Sequence, residues 1–319
     1  MPRVSVIIPS YNAAATVAGT LEGVFAQTYK DFEIICVDDG SADRTCAIIR
    51  GYADKVRLVE QANSGPAAAR NRGARHSSGE YLAFLDADDV WMPQFLERTV
   101  AALDADPALS MAYCNCALAD SEGVAIDTAL VGKGFDHPPS LNELLTQLWP
   151  IMPSAALVRR SAYDKCGGYR DELRGASFRF EDVDLWIKLR EQGPFAYIDE
   201  PLITWRFALF PAQLKRLPDY SKALGIFEAY TQERYGVSAA PLVAARMRAP
   251  RSILATIGLK ALRDGDRARA RAAFARAIRV DPYRLKNYLR WTRTFLPTKL
   301  AHSLSGGSSR RARSDRAYQ

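Results

Sequence analysis

The sequence predicts an α/β fold in which a mostly parallel central sheet is flanked by helices, with a small helical region toward the C-terminal end. Three observations lead to this prediction. Apolar, β-branched runs alternate with helix-period segments over the first hundred residues. Each run ends in polar or acidic residues, and no strand pattern follows Tyr220. Strands that are joined by crossovers of helical length form βαβ units and therefore a parallel sheet.

Four strands are predicted before residue 90. The last, residues 81–85, is apolar throughout, as expected for a strand that is covered on both faces. Trp91 to Pro93 are expected to open the next helix, because Leu96, Val100 and Leu103 follow at helical spacing. The other three predicted strands span residues 4–8, 32–37 and 56–59.

Polar side chains stand at the carboxyl end of each of these strands. In open α/β sheets that edge binds ligands, so we expect the side chains to form one site. Asp86, Asp88 and Asp89 fall within four residues, and their mutual repulsion favours a divalent cation or a cationic ligand among them. The alternative is a solvated strand end in which Asp89 caps the next helix. The other strand ends carry Tyr11 and Asn12, then Asp38 and Asp39, then Asn63.

The middle of the chain is less regular. Strands are predicted at residues 111–118 and 155–158, a loop or flap at 120–139, and a helix that starts at the capping box of Ser140 and Glu143. A second acidic cluster, residues 181–184, stands at the start of a helix that Gly193 closes. The alternative to a functional role is a structural one, in which these carboxylates interact favourably with the helix dipole at the N-terminus.

Charge divides the chain unevenly. The net charge is +7, but the segment from Ala244 onward holds 19 Lys and Arg against 4 Asp and Glu, a net of +15, which leaves −8 for the first 243 residues. Within that segment, residues 285–296 combine Leu285, Leu289 and Phe295 with basic side chains, which is the composition of a helix that lies on a membrane surface. A packed terminal helix with a solvated basic face is the alternative. Residues 299–319 are predicted to be a flexible basic tail.

Several other classes of protein are disfavoured. The five cysteines are an odd number without a Cys-x-x-Cys pair, which argues against a disulfide framework and a zinc site. No stretch approaches the roughly 18 apolar residues of a membrane helix, and no signal peptide is seen. We therefore expect a cytoplasmic protein, with peripheral contact to an anionic membrane through the basic C-terminal segment.

Five segments together resemble glycosyltransferase family 2. They occur in the order and spacing of that family, over roughly residues 3–206, and are residues 4–12 (VSVIIPSYN), 37–41 (VDDGS), 63–73 (NSGPAAARNRG), 85–89 (LDADD) and 181–182 (ED). The resemblance implies a GT-A fold, a nucleotide-diphosphate sugar as donor, with a UDP-sugar expected first, and inversion at the anomeric carbon. It also implies a divalent cation, Mg²⁺ or Mn²⁺.

The resemblance also implies roles for individual residues. Tyr11 would stack on the base, Asp38 or Asp39 would accept a hydrogen bond from the base or ribose, and Arg70 would hold the base or diphosphate. Asp88 would bind the metal directly, with Asp86 as its supporting neighbour. The full implied donor-binding set is Pro9, Tyr11, Asn12, Asp38, Asp39, Asn63, Gly65, Arg70, Asp86, Ala87, Asp88, Asp89 and Arg206.

The catalytic base is expected in the second acidic cluster. Inversion needs a base on the side opposite the leaving group, and Asp182 is the first choice, with Glu181 as the second. One departure from the family lies further on: Ala208 occupies the position where many relatives have a histidine that assists the metal or diphosphate, so Arg206 would hold the diphosphate alone.

The predicted domains and functions follow from these observations. Residues 1–218 would form a GT-A catalytic domain, with a donor half (1–105) and an acceptor half (106–218), followed by a helical region (219–298) and the tail. The expected function is transfer of a sugar to a saccharide or lipid-linked acceptor in cell-surface polysaccharide or glycolipid synthesis. The alternative is a catalytically weak sensor or scaffold that binds nucleotide sugars. A nucleic-acid partner is disfavoured, because few aromatic residues interrupt the basic tail.

Overall fold

The structure, a computed structural model, divides the chain into two compact units, Met1–Val243 and Ala244–Gln319. Helix Tyr220–Tyr235 belongs to the first unit. The predicted domain boundaries after residues 218 and 298 lie outside the described residues and stay predictions. The described residues are 1–120, 125–127, 135–170, 180–207, 220–242, 254–255, 257–259, 261–262, 264–280 and 283–295.

The first unit is built on a mixed sheet with strand order β3-β2-β1-β4-β8-β6-β9-β5, to which β7 adds beside β6. The strands are β1 (Val4–Ser10), β2 (Phe32–Asp38), β3 (Arg57–Glu60), β4 (Tyr81–Phe84), β5 (Val90–Trp91), β6 (Met111–Asp120), β7 (Ala125–Asp127), β8 (Ala156–Arg159) and β9 (Phe195–Phe207). The first four strands pair in parallel, as the βαβ pattern predicts. Strands β6 and β9 are also parallel, whereas β8, β5 and β7 pair antiparallel with their neighbours.

Helices cover both faces of this sheet. They are α1 (Val17–Phe25), α2 (Thr45–Arg50), α3 (Pro66–Arg75), α4 (Phe95–Ala105), α5 (Leu141–Thr146), α6 (Arg160–Lys165), α7 (Phe180–Gln192) and α8 (Tyr220–Tyr235), with a short 3₁₀ turn at Pro153–Ala155. The predicted capping box at α5 is present, because Ser140 and Glu143 bond to each other's backbone and side chain.

The prediction that Trp91 opens a helix is wrong. Val90 and Trp91 pair antiparallel with β9, and α4 begins only at Phe95. The Trp91 indole N–H donates to the Ser154 carbonyl (2.7 Å), and the Met92 N–H donates to the Leu202 carbonyl (2.8 Å). These long-range bonds hold the segment extended, and they outweigh the local helical spacing that the sequence displays.

Strand β4 lies in the middle of the core, which explains its unbroken apolar run. Leu82 and Phe84 face a cluster that includes Trp186 of α7, whereas Tyr81 and Ala83 face a cluster that includes Phe95 of α4. All four residues of β4 are buried. The strand is therefore fixed from both sides, and the carboxylates that follow it start from a rigid backbone.

The second unit is helical in its described part. It includes α9 (Arg267–Val280) and α10 (Leu285–Arg293), and a small core forms around Ala261, Ala270 and Phe274. Gly258 lies against this core, where a Cβ would meet the Phe274 ring at 2.6 Å, so any side chain there would have to displace the ring. Among the described residues, no helix has the length and hydropathy to cross a membrane.

Candidate active site

Three carboxylates meet at the end of β4. One oxygen from each of Asp86, Asp88 and Asp89 lies within 4.8 Å of the others. Asp86 and Asp89 are buried, whereas Asp88 is partly exposed. Ala87, between them, is also buried. Oxygen ligands at this separation suit a divalent cation, with Asp88 as the carboxylate most open to it.

Asp89 is an internal anchor of the site rather than a helix cap. Its Oδ2 accepts from the Ser154 hydroxyl (2.5 Å) and its Oδ1 from the Arg206 N–H (3.2 Å). Helix α4 has Gln94 before its first turn and no side-chain cap, so the predicted capping role of Asp89 is wrong. Burial, followed by repulsion from Asp88 and Asp86, raises the pKa of Asp89 well above its usual value. A cation among the three carboxylates would relieve that repulsion.

Ser154 connects two of these aspartates, a contact that the sequence did not predict. Its hydroxyl donates to Asp89 and accepts from the Asp86 N–H (3.1 Å). The Ser154 side chain is buried. Because the contact spans 65 residues of sequence, no local pattern could reveal it.

Arg70 of α3 joins the donor half of the sheet to α7. Its Nη2 donates to Asp86 Oδ1 at 2.5 Å, and its Nη1 lies 3.7 Å from Glu181 Oε1. The side chain is buried, yet Nε and Nη1 find no hydrogen-bond partner among the described residues. Burial by itself lowers the pKa of Arg70, but Asp86, Tyr169 and Glu181 more than offset this and raise it well above its usual value. The guanidinium is therefore a cation with unused donors.

Asp38 and Asp39, which the sequence could not separate, have different surroundings. Asp39 binds the loop before α3: its Oδ1 accepts from the Ser64 N–H and the Gln61 side chain, both at 2.7 Å, and its Oδ2 from the Gly65 N–H (2.8 Å). Gly65 has φ of 89°, which favours glycine there. Asp38 uses only Oδ2, toward the Ser41 N–H (3.0 Å), and its buried Oδ1 accepts nothing from the described residues. Asp38 is therefore the carboxylate with an acceptor to spare.

The loop after β1 forms the outer rim of the site. Tyr11 is 55% exposed, whereas Pro9 is partly buried within β1. Asn12 has φ of 50° and ties the loop to the one after β2, because its N–H donates to the Ser41 hydroxyl and its Oδ1 accepts from the Ala42 N–H (both 2.9 Å). Asn63, at the third strand end, is exposed. An exposed tyrosine beside an ordered loop can stack on a flat ring.

The first turn of α7 holds the second acidic cluster, and its three carboxylates are all buried. Asp184 is paired with two cations, Arg170 (3.1 Å) and Lys188 (3.0 Å). Glu181 lies beside Arg70, as described above, and Asp182 Oδ1 accepts from the Val183 N–H (2.8 Å).

Tyr169 is a site residue that the sequence reasoning missed. The Arg70 guanidinium carbon lies 5.2 Å from the centre of its ring. Its hydroxyl is buried and has no hydrogen-bond partner among the described residues, and burial raises its pKa well above the usual value, so it stays a proton donor. Asn71 holds the Tyr169 backbone through two hydrogen bonds, of 3.0 and 2.8 Å. The aromatic residue directly after Gly167-Gly168 was the available signal.

Gly168 makes this placement of Tyr169 feasible. Its φ is 65°, and a Cβ there would lie 2.8 Å from both Asn71 Oδ1 and the Tyr163 hydroxyl oxygen. Any side chain at this position would therefore push Asn71 away from Tyr169. On β9, Arg206 has a buried Nε without a hydrogen-bond partner among the described residues. The adjacent departure, Ala208, lies outside the described residues.

Several of these groups are suited to a charged ligand. Cationic donors (Arg70 and Arg206) and a neutral donor (Tyr169) are unused, as is one acceptor (Asp38). Buried polar groups without partners are uncommon in native proteins, and a ligand, an ion or a water can account for them. The arrangement can hold an anionic group beside a cation that is bound by the three carboxylates at the end of β4. Asp182, next to Glu181 in the sequence, supplies a further carboxylate.

Comparisons with known proteins agree with this geometry. A family model described as glycosyl transferase family 2 matches residues 5–167. The putative glycosyltransferase EpsE of Bacillus subtilis is 33% identical over 199 residues, which cover 60% of this chain and 68% of EpsE. Chondroitin synthase of Escherichia coli is 30% identical over 203 residues, which cover 63% of this chain but only 28% of the synthase.

Solved structures are similar in fold. S. aureus TarS 1-349 in complex with UDP-GlcNAc has a TM-score of 0.55 at 15% identity, with 94% of this chain and 92% of that one covered. A longer TarS chain is covered over 54% of its length. The mannosyltransferase PcManGT of Pyrobaculum calidifontis, in complex with GDP-Man and Mn²⁺, has a TM-score of 0.53 at 22% identity, with 90% and 87% covered. The chain belongs to glycosyltransferase family 2 and has the GT-A fold.

Proposed function

We propose that this chain transfers a sugar from a nucleoside-diphosphate donor to a hydroxyl group, with inversion at the anomeric carbon. The observation that carries the proposal is the position of Arg70, a buried cation between Asp86 and Glu181 whose Nε and Nη1 have no hydrogen-bond partner among the described residues. A diphosphate would satisfy such nitrogens through charge-assisted hydrogen bonds. We expect a UDP-sugar first, since TarS binds UDP-GlcNAc and UDP in its solved complexes.

The residues at the end of β4 fit a divalent cation. Their oxygens lie within 4.8 Å of one another, and burial, followed by repulsion from Asp88 and Asp86, raises the pKa of Asp89. Asp88 would bind Mg²⁺ or Mn²⁺ directly and Asp86 would support it, while Asp89 holds the backbone of the site. Bound there, the cation would neutralise charge on the departing nucleoside diphosphate. The complex of PcManGT with GDP-Man and Mn²⁺ supports this choice of metal class.

The chain's own groups divide the remaining work. The unused oxygen of Asp38 accepts a hydrogen bond from the base, Tyr11 stacks on it, and Arg70 and Arg206 donate to the diphosphate. Asp182 takes the proton of the acceptor hydroxyl. The oxygen of that hydroxyl attacks the anomeric carbon, and the bond between this carbon and the diphosphate oxygen breaks. Glu181 is the weaker candidate for the base, because Arg70 stabilises its charged form.

The acceptor is proposed to be a saccharide or a lipid-linked molecule at the cell surface. Similarity to EpsE and to chondroitin synthase over about 60% of the chain supports polysaccharide synthesis. Glycolipid synthesis is the close alternative. A cytoplasmic location remains part of this proposal. A catalytically weak nucleotide-sugar sensor is the second candidate, favoured by Ala208 at the position of the family histidine.

The deciding experiment measures release of nucleoside diphosphate. UDP-, GDP- and dTDP-sugars would be supplied with Mg²⁺ or Mn²⁺ and cell-envelope extract as acceptor source. We expect Asp182→Asn to lower kcat by about 10²- to 10⁴-fold, the usual contribution of a general base, while donor binding by calorimetry persists. Asp88→Ala should abolish metal-stimulated turnover. Asp54→Asn removes a carboxylate from an exposed turn and is the matched control.

Each result has a defined meaning. Turnover at the wild-type rate in both site variants would contradict the assignment of the site. Donor binding by the wild type without transfer to any acceptor fraction would favour the sensor function. Failure to bind any nucleotide sugar would contradict both.

A further inference from the structure

Helix α10 in the second unit carries an exposed apolar stripe. Leu285 is 70% exposed, Leu289 56% and Tyr288 38%, and these three side chains form the stripe. Phe295, beyond the end of the helix, instead has the Arg271 guanidinium carbon 4.1 Å from the centre of its ring. Positions 285, 288, 289 and 292 lie at spacings of three and four, so they project from one side of the helix. Large apolar side chains that cluster on a surface mark an interaction site more often than scattered ones do.

The other side of the helix is fixed by its own core. Asn287 and Thr294 are buried, and the Asn287 side chain donates to the Ala277 carbonyl of α9 (3.3 Å). Trp291 packs against the core cluster of Ala261, Ala270 and Phe274. The stripe cannot turn inward without breaking these contacts, so its exposure is a stable property of the unit.

Basic side chains border the stripe. Arg284, Lys286, Arg290 and Arg293 fall between residues 283 and 295, and no acidic residue does. Lys286, Arg290 and Arg293 are spaced so that they line one flank of the helix, while Arg284 lies at its start. Burial, and then repulsion from Arg284 and Arg293, lowers the pKa of Arg290. A flank of four basic side chains with no acidic residue between them would favour an anionic partner.

We propose that this face, residues Leu285, Tyr288 and Leu289 with their basic flank, docks on the surface of an anionic phospholipid bilayer. The apolar side chains would enter the boundary between headgroups and acyl chains, and the long basic side chains would reach the phosphates. Tyrosine is enriched at that interface. The helix has nine residues and is far shorter than the roughly 20 needed to span a bilayer, so it lies on the surface.

Charge and composition favour this occupant over others. A nucleic acid would use the arginines but would leave the two leucines against solvent. A second copy of this chain would bring a net charge of +15 from residue 244 onward against an identical segment. An anionic bilayer is complementary to both the apolar stripe and its basic flank, since it has an apolar layer beneath a negatively charged surface. The proposal does not depend on the sugar-transfer reaction.

The test is co-sedimentation of the full chain with vesicles. One set would contain phosphatidylcholine alone, and the other equal parts of phosphatidylcholine and phosphatidylglycerol. We expect binding to the anionic vesicles that is at least about tenfold stronger than to the neutral ones, and that weakens as salt rises. Leu285→Asp with Leu289→Asp should reduce binding by about tenfold or more, because both changes lie on the exposed stripe.

A second pair of variants separates charge from apolar contact. Lys286→Glu with Arg290→Glu should weaken anionic binding by about tenfold and remove most of its salt dependence. The matched control, Lys55→Glu with Lys165→Glu, makes the same charge change on exposed positions of the first unit and should bind like the wild type. Circular dichroism and thermal melting would check that each variant is folded.

The proposal would be overturned by several results. Wild type that ignores anionic vesicles, or stripe variants that bind them as well as the wild type does, would exclude the membrane. Equal loss in the control pair would reduce the effect to net charge. Light scattering could instead show a dimer that dissociates in the variant with Leu285→Asp and Leu289→Asp. Together with no vesicle binding, this result would assign the stripe to a second copy of the chain.

Discussion

The Arg70 Nη2 atom lies 2.5 Å from Asp86 Oδ1, and both side chains are buried. This ion pair joins the N-terminal part of α3 to the end of β4, and through Glu181 it reaches the first turn of α7. Buried ion pairs are expensive to form and even more expensive to break. Two nitrogens of Arg70 have no hydrogen-bond partner among the described residues, which indicates that the role of the ion pair is to bind a ligand.

Replacing Arg70 with lysine should separate charge from geometry. Arg70→Lys keeps a cation but loses the planar fork that reaches Asp86 and Glu181 together. We expect kcat/KM to fall by about 100-fold or more, as misplaced contacts at a reacting centre commonly cause. Arg70→Met, which removes the cation beside two buried carboxylates, should cost about 3–5 kcal/mol of unfolding free energy in a denaturant titration.

Arg75→Lys is the control for this pair of variants. Arg75 is at the exposed end of the same helix, so its replacement should change neither activity nor stability. Full activity in Arg70→Lys would contradict a role of the guanidinium fork in donor binding.

Tyr169→Phe removes only the hydroxyl that lacks a hydrogen-bond partner. If the bound donor satisfies this hydroxyl, the variant should lose about 1–3 kcal/mol of binding, which is about a 5- to 150-fold fall in kcat/KM. The free protein should be as stable as the wild type or more stable, because no hydrogen bond among the described residues is lost. Steady-state kinetics and thermal melting measure the two effects.

Tyr163→Phe provides the opposite pattern. The Tyr163 hydroxyl donates to Asn71 Oδ1 at 2.7 Å, so this change should lower stability more than donor affinity. If Tyr169→Phe behaves in the same way as Tyr163→Phe, the Tyr169 hydroxyl has a structural role only.

Ser154→Ala tests the support of the acidic group. Its hydroxyl holds Asp89 and the Asp86 backbone, so its removal should lower the affinity of the free protein for Mn²⁺ by about 10- to 100-fold. Calorimetric titration with Mn²⁺ measures this without turnover. Ser110→Ala, which removes another buried hydroxyl that donates to the Gly193 carbonyl, should leave the affinity unchanged. Equal affinities in wild type and Ser154→Ala would refute the supporting role.

Asp38 and Asp39 should respond differently to the same substitution. Asp38→Ala removes the spare acceptor and should raise the KM for the donor by about tenfold, since each lost hydrogen bond of this kind costs about 1.4 kcal/mol. Asp39→Ala leaves the donors of Gln61, Ser64 and Gly65 unpaired and should lower the unfolding free energy by about 3 kcal/mol. The reverse pattern would show that the loop, rather than the ligand, depends on Asp38.

The capping box of α5 should make stability depend on pH in the acid range. Hydrogen bonds from the Ser140 backbone and side chain, and from His137, lower the pKa of Glu143 to about 2. Because the folded pKa is below the unfolded one, near 4.3, this stabilisation is complete above the unfolded value and is lost as the pH falls toward 2. Glu143→Gln should remove that part of the melting-temperature decline between about pH 4.5 and 2. An unchanged decline would assign it to other carboxylates.

Local sequence predicted much of the fold and of the candidate site. The apolar run of β4 and the βαβ alternation place Asp86 and Asp88 at the edge where β1 and β2 also end, and the parallel pairing of these strands agrees. The capping box of α5 was equally visible. Such features depend on residues within a few turns of one another, where periodicity and backbone preference act directly.

Other features depend on contacts between residues that are distant in sequence, and only the tertiary structure decided them. It placed Trp91 in a strand, made Asp89 an anchor held by Ser154, and brought Tyr169 beneath Arg70. It also gave different roles to Asp38 and Asp39, which the sequence alone does not distinguish. The physical reason is that a buried carboxylate or hydroxyl acquires its role from the partners that satisfy it, and those partners lie up to 117 residues away along the chain.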